Sequence, residues 1–215
     1  MYVPATLAQP AVALAPARVL SSESPLSAPP IGRPVRTALN VRRSALNVLD
    51  GRPATVVGTL TPGLSERVVT LQALRSHGWI TLARARTGVK GRFQLRYIPR
   101  RTGSERVRLR FAGDAQDLGA RRRLGRLNVY RLAEVSWYSG GGGLACGGWL
   151  TSATMGVANK TLPCGTLVTL RYGGRTVRVP VVDRGPYVAG REFDLTEATK
   201  QALGFGDTGQ VWSTR

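Results

Sequence analysis

Histidine is almost absent from this chain of 215 residues, where His77 stands alone. A Ser-His-Asp or Cys-His system needs a histidine beside its nucleophile, and His77, next to Trp79, would have to reach across most of the chain. Cysteine is nearly as scarce, at Cys146 and Cys164 only. With no C-x-x-C pair and no cluster of histidines, no zinc ligand set exists, so no metal is expected. No window approaches 18 uninterrupted apolar residues, which excludes a membrane-spanning helix. Neither a P-loop nor a Rossmann glycine pattern occurs, so no nucleotide and no cofactor is expected. Acidic residues number 12 against 31 basic ones, giving a formal net charge of +19, and only Lys90, Lys160 and Lys200 of the basic set are not arginine.

What is present points to β structure. Hydrophobic content of 42% with 26 glycines and 13 prolines fits globular strands joined by turns, and the length allows one or two domains. The two cysteines have two readings: one Cys146–Cys164 disulfide, which implies an oxidising, extracytoplasmic location, or two unpaired buried thiols. The charge also has two readings: attraction to polyanions such as nucleic acid, anionic lipid or the carboxylates and phosphates of a bacterial wall, or solvated arginine faces. No nucleic-acid motif accompanies the basicity, so nucleic acid ranks last among these partners. Nothing in the sequence fixes an oligomeric state.

Residues 1–35 form an Ala/Pro-rich leader, flexible or a signal remnant, in which Ala11-Val12-Ala13 is similar to a signal-peptidase pattern. Residues 36–132 read as repeated short strands: Phe93, Leu95 and Tyr97 alternate with Arg92, Gln94 and Arg96, and Val107, Leu109 and Phe111 with Arg106, Arg108 and Arg110. Strands with one apolar and one arginine-rich face imply an antiparallel β-sandwich of immunoglobulin type, with Trp79 expected in its core. The boundary is expected near Arg131 to Glu134, with almost no linker.

Residues 133–215 have shorter strands and dense glycine. Glu134 to Tyr138, Leu167 to Tyr172, Arg175 to Val182 and Gln210 to Thr214 read as strands, with Gly173-Gly174 as a two-residue hairpin turn. Gly140 to Gly143 offers a run without side chains that a polymer can approach closely. The organising stretch is Val181 to Leu195, VVDRGPYVAGREFDL. Asp183-Arg184-Gly185-Pro186 breaks one strand; Asp194 with Glu197 fits a helix capping box, and Gly204 a helix stop. Two carboxylates, Asp183 and Asp194, therefore flank one loop. Their chemistry would be acid/base work on a sugar polymer, where a carboxylic acid protonates the leaving oxygen of a glycosidic bond. The competing readings are a turn held by Asp183 through Asx hydrogen bonds, or its pairing with Arg184, and a helix capped by Asp194.

The ordered motifs S-W-Y-S at Ser136, K-T-L-P-C-G-T at Lys160, D-R-G-P-Y at Asp183 and D-L at Asp194 resemble the double-psi β-barrel of the rare lipoprotein A (RlpA) family and, more distantly, the first domain of expansins. The resemblance covers about residues 133–215. With the amino-terminal immunoglobulin-like sandwich read from the strand pattern alone, the expected fold is all-β; for its own region the resemblance implies a six-stranded double-psi β-barrel with one short helix. It further implies a lytic transglycosylase that cuts peptidoglycan glycan strands and leaves a 1,6-anhydro sugar, in a secreted or wall-associated protein. Asp183 and Asp194 match family aspartates and are the expected catalytic pair. Ser136, Tyr138, Thr151, Asn159, Arg184 and Tyr187 are expected substrate contacts, Lys160 a weaker one, and Trp137 a core residue. Two departures stand out: Asn159 occupies the place of a family histidine, and Leu150 to Thr154 carries no glutamate. A non-catalytic, expansin-like module that holds glycan or another anionic wall polymer is therefore the alternative, with charge-driven polyanion binding a second one.

Overall fold

Alternation of apolar and polar residues sets the first half of the chain. The computed structural model describes Met1, residues 33–63 and residues 65–215. The leader expected over residues 1–35, with Ala11-Val12-Ala13, falls outside the described residues up to residue 32, apart from Met1. Eight strands follow: β1 (Ala38–Ala45), β2 (Asn47–Leu49), β3 (Ala54–Thr61), β4 (Val68–Arg75), β5 (Gly78–Arg86), β6 (Arg92–Tyr97), β7 (Gly103–Phe111) and β8 (Ala120–Tyr138). One antiparallel sheet has the order β1-β3-β6. A second layer runs β5-β4-β7-β8, with β2 added in parallel to β8. Every second residue of the inner faces enters a shared core: Val56, Leu60, Phe93 and Leu95 from the first sheet, and Val69, Leu71, Val107 and Leu109 from the second. Complete burial of each such side chain contributes about 1.5–3 kcal/mol.

Trp79 is not among these core residues. It stands opposite Leu74 in the β4–β5 ladder, on the outer face, half-buried beneath the guanidinium of Arg108 at 3.9 Å from ring centroid to Cζ. The ladder register decides this: a shift between Leu71 and Gln72 places Trp79 in an outward row. His77 lies exposed in the turn between β4 and β5.

The second half is a closed barrel. Its pieces are the end of β8, then β9 (Gly142–Gly143), β10 (Trp149–Leu150), β11 (Val157–Ala158), β12 (Leu167–Tyr172), β13 (Arg175–Asp183), β14 (Phe193–Thr196), α1 (Glu197–Leu203) and β15 (Gly209–Ser213). Six strands close the ring in the order β8-β14-β11-β13-β12-β15 and back to β8. The β11–β13 and β14–β8 pairs are parallel and the others antiparallel. Val135, Val157, Leu170, Val181, Phe193 and Leu195 fill the interior. Gly173 and Gly174 have φ of 53° and 86°, the two positive values a type I′ hairpin requires. The protein is thus all-β with one short helix and a six-stranded barrel.

The capping box expected from Asp194 and Glu197 does not form. Asp194 lies within β14, and the N-cap is Thr196, whose hydroxyl bonds the backbone of Gly156 and the Thr199 hydroxyl instead of a helix N–H. Gly204 closes the helix in the left-handed conformation, as its sequence position implies.

β8 belongs to both halves. Its 19 residues pair with β7 and β2 at the start and with β15 and β14 at the end, so no linker intervenes. Tyr130 is fully buried at the change-over. Its hydroxyl donates to Asn47 Oδ1 at 2.9 Å, and its ring lies 5.7 Å from that of Trp212 in β15. Asn128 donates to the same Asn47 oxygen and accepts from the Ser104 hydroxyl, so this buried polar knot satisfies its own members. No helix among the described residues is long and apolar enough to cross a membrane.

Candidate functional site

β11 is only two residues long, yet it sits between the strands that carry both aspartates. Ala158 is in register with Asp183 of β13 on one side and with Asp194 of β14 on the other. At about 4.8 Å per strand spacing, the two backbones stand roughly 10 Å apart. Ser136 of β8 is in register with Asp194 and donates its hydroxyl to Asp194 Oδ1. Tyr138, two residues further along β8, shares the face of Ser136. Its hydroxyl is buried and makes no hydrogen bond among the described residues. Burial, followed by the charges of Asp183 and then Asp194, raises the Tyr138 pKa above the ordinary phenol range. The phenol therefore stays protonated, a donor placed where two carboxylates converge.

Asp183 is held from two sides. Its Oδ1 accepts the backbone N–H of Arg184 at 2.8 Å, the local turn its position suggests, and the N–H of Ala145 at 2.9 Å, from 38 residues earlier. Ala145 lies in the tight turn of the β9–β10 hairpin, closed by Leu144 N–H to Gly148 O. Cys146 N–H donates to Val182 O and Gly165 N–H to Val181 O, so two loops dock on the last residues of β13. The Cys146–Cys164 disulfide joins those loops, with 5.5 Å between Cα atoms. The paired reading of the cysteines is therefore the right one, and the bridge sits beside Asp183. Among the described residues, neither aspartate uses its second oxygen in a hydrogen bond with the protein.

The remaining expected contacts divide. Arg184 does not pair with Asp183: its guanidinium donates to the carbonyls of Asn159 and Leu162 and touches Cys164 Sγ. Asn159 is buried, donates to Glu192 O, and accepts the N–H groups of Thr161 and Leu162. Both side chains brace the 159–164 loop. Thr151 is exposed and bonded to Thr154, and Lys160 is exposed. Trp137 packs partly against the barrel core, its N–H donating to Asp207 and Lys200 Nζ lying 3.4 Å from its ring centroid. Tyr187 is 83% exposed just past the Gly185-Pro186 turn.

Trp149 escapes the sequence reading. It is 67% exposed in β10, opposite Gly143, with its indole N–H edge against Gly141. The signal that could have found it is the turn chemistry of Cys146-Gly147-Gly148, which folds the glycine run back as a hairpin and lifts the next residue out. Trp149 and Tyr187 thus offer two flat aromatic surfaces on the loops around Asp183. A cavity of about 670 Å³ lies elsewhere, in the sandwich, between Arg75 and the Tyr97 to Gly103 loop.

The barrel residues are similar to known proteins. The family model described as lytic transglycolase matches residues 132–212. The probable endolytic peptidoglycan transglycosylase RlpA of Aquifex aeolicus (strain VF5) is 43% identical over 80 residues, which are 35% of this chain and 35% of that protein. The protein of the same name from Treponema pallidum (strain Nichols) is 48% identical over 48 residues, 21% of this chain and 15% of its own length. The chain thus spans about a third, or less, of these relatives. Among solved structures, the Streptomyces papain inhibitor (SPI) matches 39% of this chain and 91% of its own, at 26% identity and a TM-score of 0.33. Residues 132–212, with their closed six-strand ring, disulfide and paired aspartates, are an RlpA-like double-psi β-barrel.

Proposed function

We propose that this is an extracytoplasmic, wall-associated protein whose barrel acts on peptidoglycan glycan strands as a lytic transglycosylase. The observation that carries the reading is the convergence of Asp183, Asp194 and the protonated Tyr138 on one rim of an RlpA-like barrel. Asp183 is the general acid/base. It gives a proton to the leaving glycosidic oxygen and takes one from the sugar's own 6-hydroxyl, which closes on the anomeric carbon. The C1–O bond breaks, the C1–O6 bond forms, and no water is consumed. Asp194, fixed by Ser136, is the second charge, suited to the positive character that develops at the anomeric carbon. The Tyr138 hydroxyl, buried, acts on the sugar only through the two carboxylates it faces, while Tyr187 and Trp149 cover the apolar faces of neighbouring rings. Arg184 and Asn159 hold the loop on which this geometry depends, and Thr151, exposed just past Trp149, offers its hydroxyl at the edge of the groove. The amino-terminal sandwich, 36–132, is of immunoglobulin type in this reading, supported by the β1-β3-β6 order and the parallel β2–β8 pair.

A second reading keeps the groove and drops the cleavage. It is favoured by Asn159, whose carboxamide is committed to backbone groups and carries no proton to shuttle. Digestion of purified sacculi and of peptide-free glycan strands by wild type and Asp183→Asn, read by mass spectrometry, separates the two. Anhydro-muramic ends that vanish in the variant support the transglycosylase. An absence of new ends, with protein still pelleting with sacculi at high salt, leaves the binding module.

A further inference from the structure

The outer face of the sandwich carries an arginine lattice for which the barrel's chemistry has no use. Three residues of β7 and three of β8 stand in direct cross-strand pairs: Arg110 with Arg121, Arg108 with Arg123, and Arg106 with Arg126. The residues between them on β7, Val107 and Leu109, are buried in the core, so the six arginines share the opposite face. A bulge keeps the third pair in line. The register shifts between Val107 and Arg108, with Gly125 at φ 86°, and this returns Arg126 to the face that strict alternation would give to residue 125.

Like charges placed directly opposite one another destabilise a sheet. Here no negative charge offsets them, although Arg126 donates to Ser104. The neighbouring row on β4 is Thr70, Gln72 and Leu74, and the next strand adds Arg84 opposite Thr70. No carboxylate stands in these rows, and no ion pair among the described residues involves any of these arginines. Arg108 is held flat between the Trp79 ring and Gln72 Oε1. Burial, then Arg121 and Arg110, lowers the Arg108 pKa; burial, then Arg178 and Arg106, lowers that of Arg126. Arg178 belongs to β13, the strand that ends at Asp183, so the positive surface continues onto the barrel. From Arg178 to Asp183 is five residues, about 17 Å of strand.

We propose that this face binds a linear phosphodiester polymer of the bacterial wall, laid across β7 and β8 and led along β13 toward the aspartates. Arginine's planar fork matches phosphate oxygens two at a time, and evenly spaced rows match a regularly repeating charge. The choice of a wall polymer rests on the barrel acting on peptidoglycan; the phosphate chemistry does not.

The test uses the full chain and three probes: sacculi carrying their phosphodiester polymer, the same sacculi stripped of it with hydrofluoric acid, and a single-stranded DNA oligonucleotide. Wild type binds the unstripped sacculi most tightly. The triple variant Arg106→Gln/Arg110→Gln/Arg123→Gln loses roughly tenfold or more in that affinity, and its log-affinity against log-salt slope falls by about 2, near 0.7 per lost phosphate contact. The triple Arg→Lys variant at the same positions keeps the charge but not the fork, so its salt slope stays near that of wild type while its affinity falls to a value between wild type and the glutamine variant. Equal binding to stripped and unstripped sacculi, an unchanged slope in the glutamine variant, or tighter binding to the oligonucleotide overturns the proposal. Anhydro ends released from stripped sacculi are scored in parallel. Their absence in wild type overturns the transglycosylase alone, and their persistence in the glutamine variant shows that the two surfaces fail separately.

Discussion

Replacing Tyr138 by phenylalanine removes one oxygen atom and separates stability from function. The hydroxyl is buried, has no hydrogen-bond partner among the described residues, and faces two carboxylates. A buried polar group left unpaired costs about 1–3 kcal/mol, and the ring itself loses nothing in the exchange. Because the residue as a whole is only half-buried, the lower figure applies, and Tyr138→Phe is expected to stabilise the protein by about 1 kcal/mol. In a chain of this size that raises the thermal midpoint by roughly 2–4 °C. The gain depends on pH in a definite direction. The folded state raises the Tyr138 pKa, first by burial and then through Asp183 and Asp194, so above about pH 10 the unfolded chain has released a proton that the folded chain keeps. Stability from this group is intact below that pH and is lost as pH rises through it, up to about 1.4 kcal/mol per unit. Wild type and variant should therefore run parallel from pH 6 to 9 in denaturant titrations and diverge above 10, the variant holding. Glycan cleavage, or binding if cleavage is absent, falls in the same variant. A variant less stable than wild type by 1 kcal/mol or more, or a stability difference flat through pH 11, would refute the placement of this hydroxyl.

Reduction of the Cys146–Cys164 bridge, which closes an 18-residue separation, lowers stability by about 3 kcal/mol in the chain-entropy picture. It also frees the turn that supplies Ala145 N–H to Asp183, so under mild reductant, below the unfolding threshold, activity on sacculi declines before near-ultraviolet circular dichroism changes. Trp149→Ala leaves thermal stability within about 0.5 kcal/mol, as expected for an exposed site, and weakens retention on peptide-free glycan by a few-fold at high salt. Equal retention of variant and wild type would remove Trp149 from the groove.

Much of this fold was legible because the apolar patterns are local. The β6 and β7 alternations, the Gly173-Gly174 hairpin and the Gly204 stop each follow from a few neighbouring residues, and each stands where the sequence places it. What was not legible depends on register between distant strands. Trp79 looks like a core tryptophan until a one-residue shift in the β4–β5 ladder turns it outward under Arg108. Asp194 and Glu197 have capping-box spacing, but β14 runs on to Thr196 before the helix starts, and the carboxylate turns to Ser136 of β8 instead. Asp183 and Asp194 are readable as a pair flanking one loop; that β11 is threaded between them is not, because its two residues carry no periodic signal of their own. Asn159 and Arg184 show the same limit. Their side chains suit a sugar, yet the backbone of the 159–164 loop claims them first.

The strand common to both halves also sets a length scale. β8 holds 19 residues, a contour of about 60 Å at roughly 3.3 Å each, and Tyr130 is locked at its middle. Two binding surfaces joined by a slack tether reinforce one another over a broad range of spacings, with an effective concentration diluted by every conformation of the tether. Two surfaces on one strand have a single spacing. A target that presents both partners at that distance meets the second site at little further entropic cost, and a target that presents them at another distance gains nothing. In the proposed reading the shared strand makes the molecule a ruler, selecting among its targets by geometry as well as by chemistry.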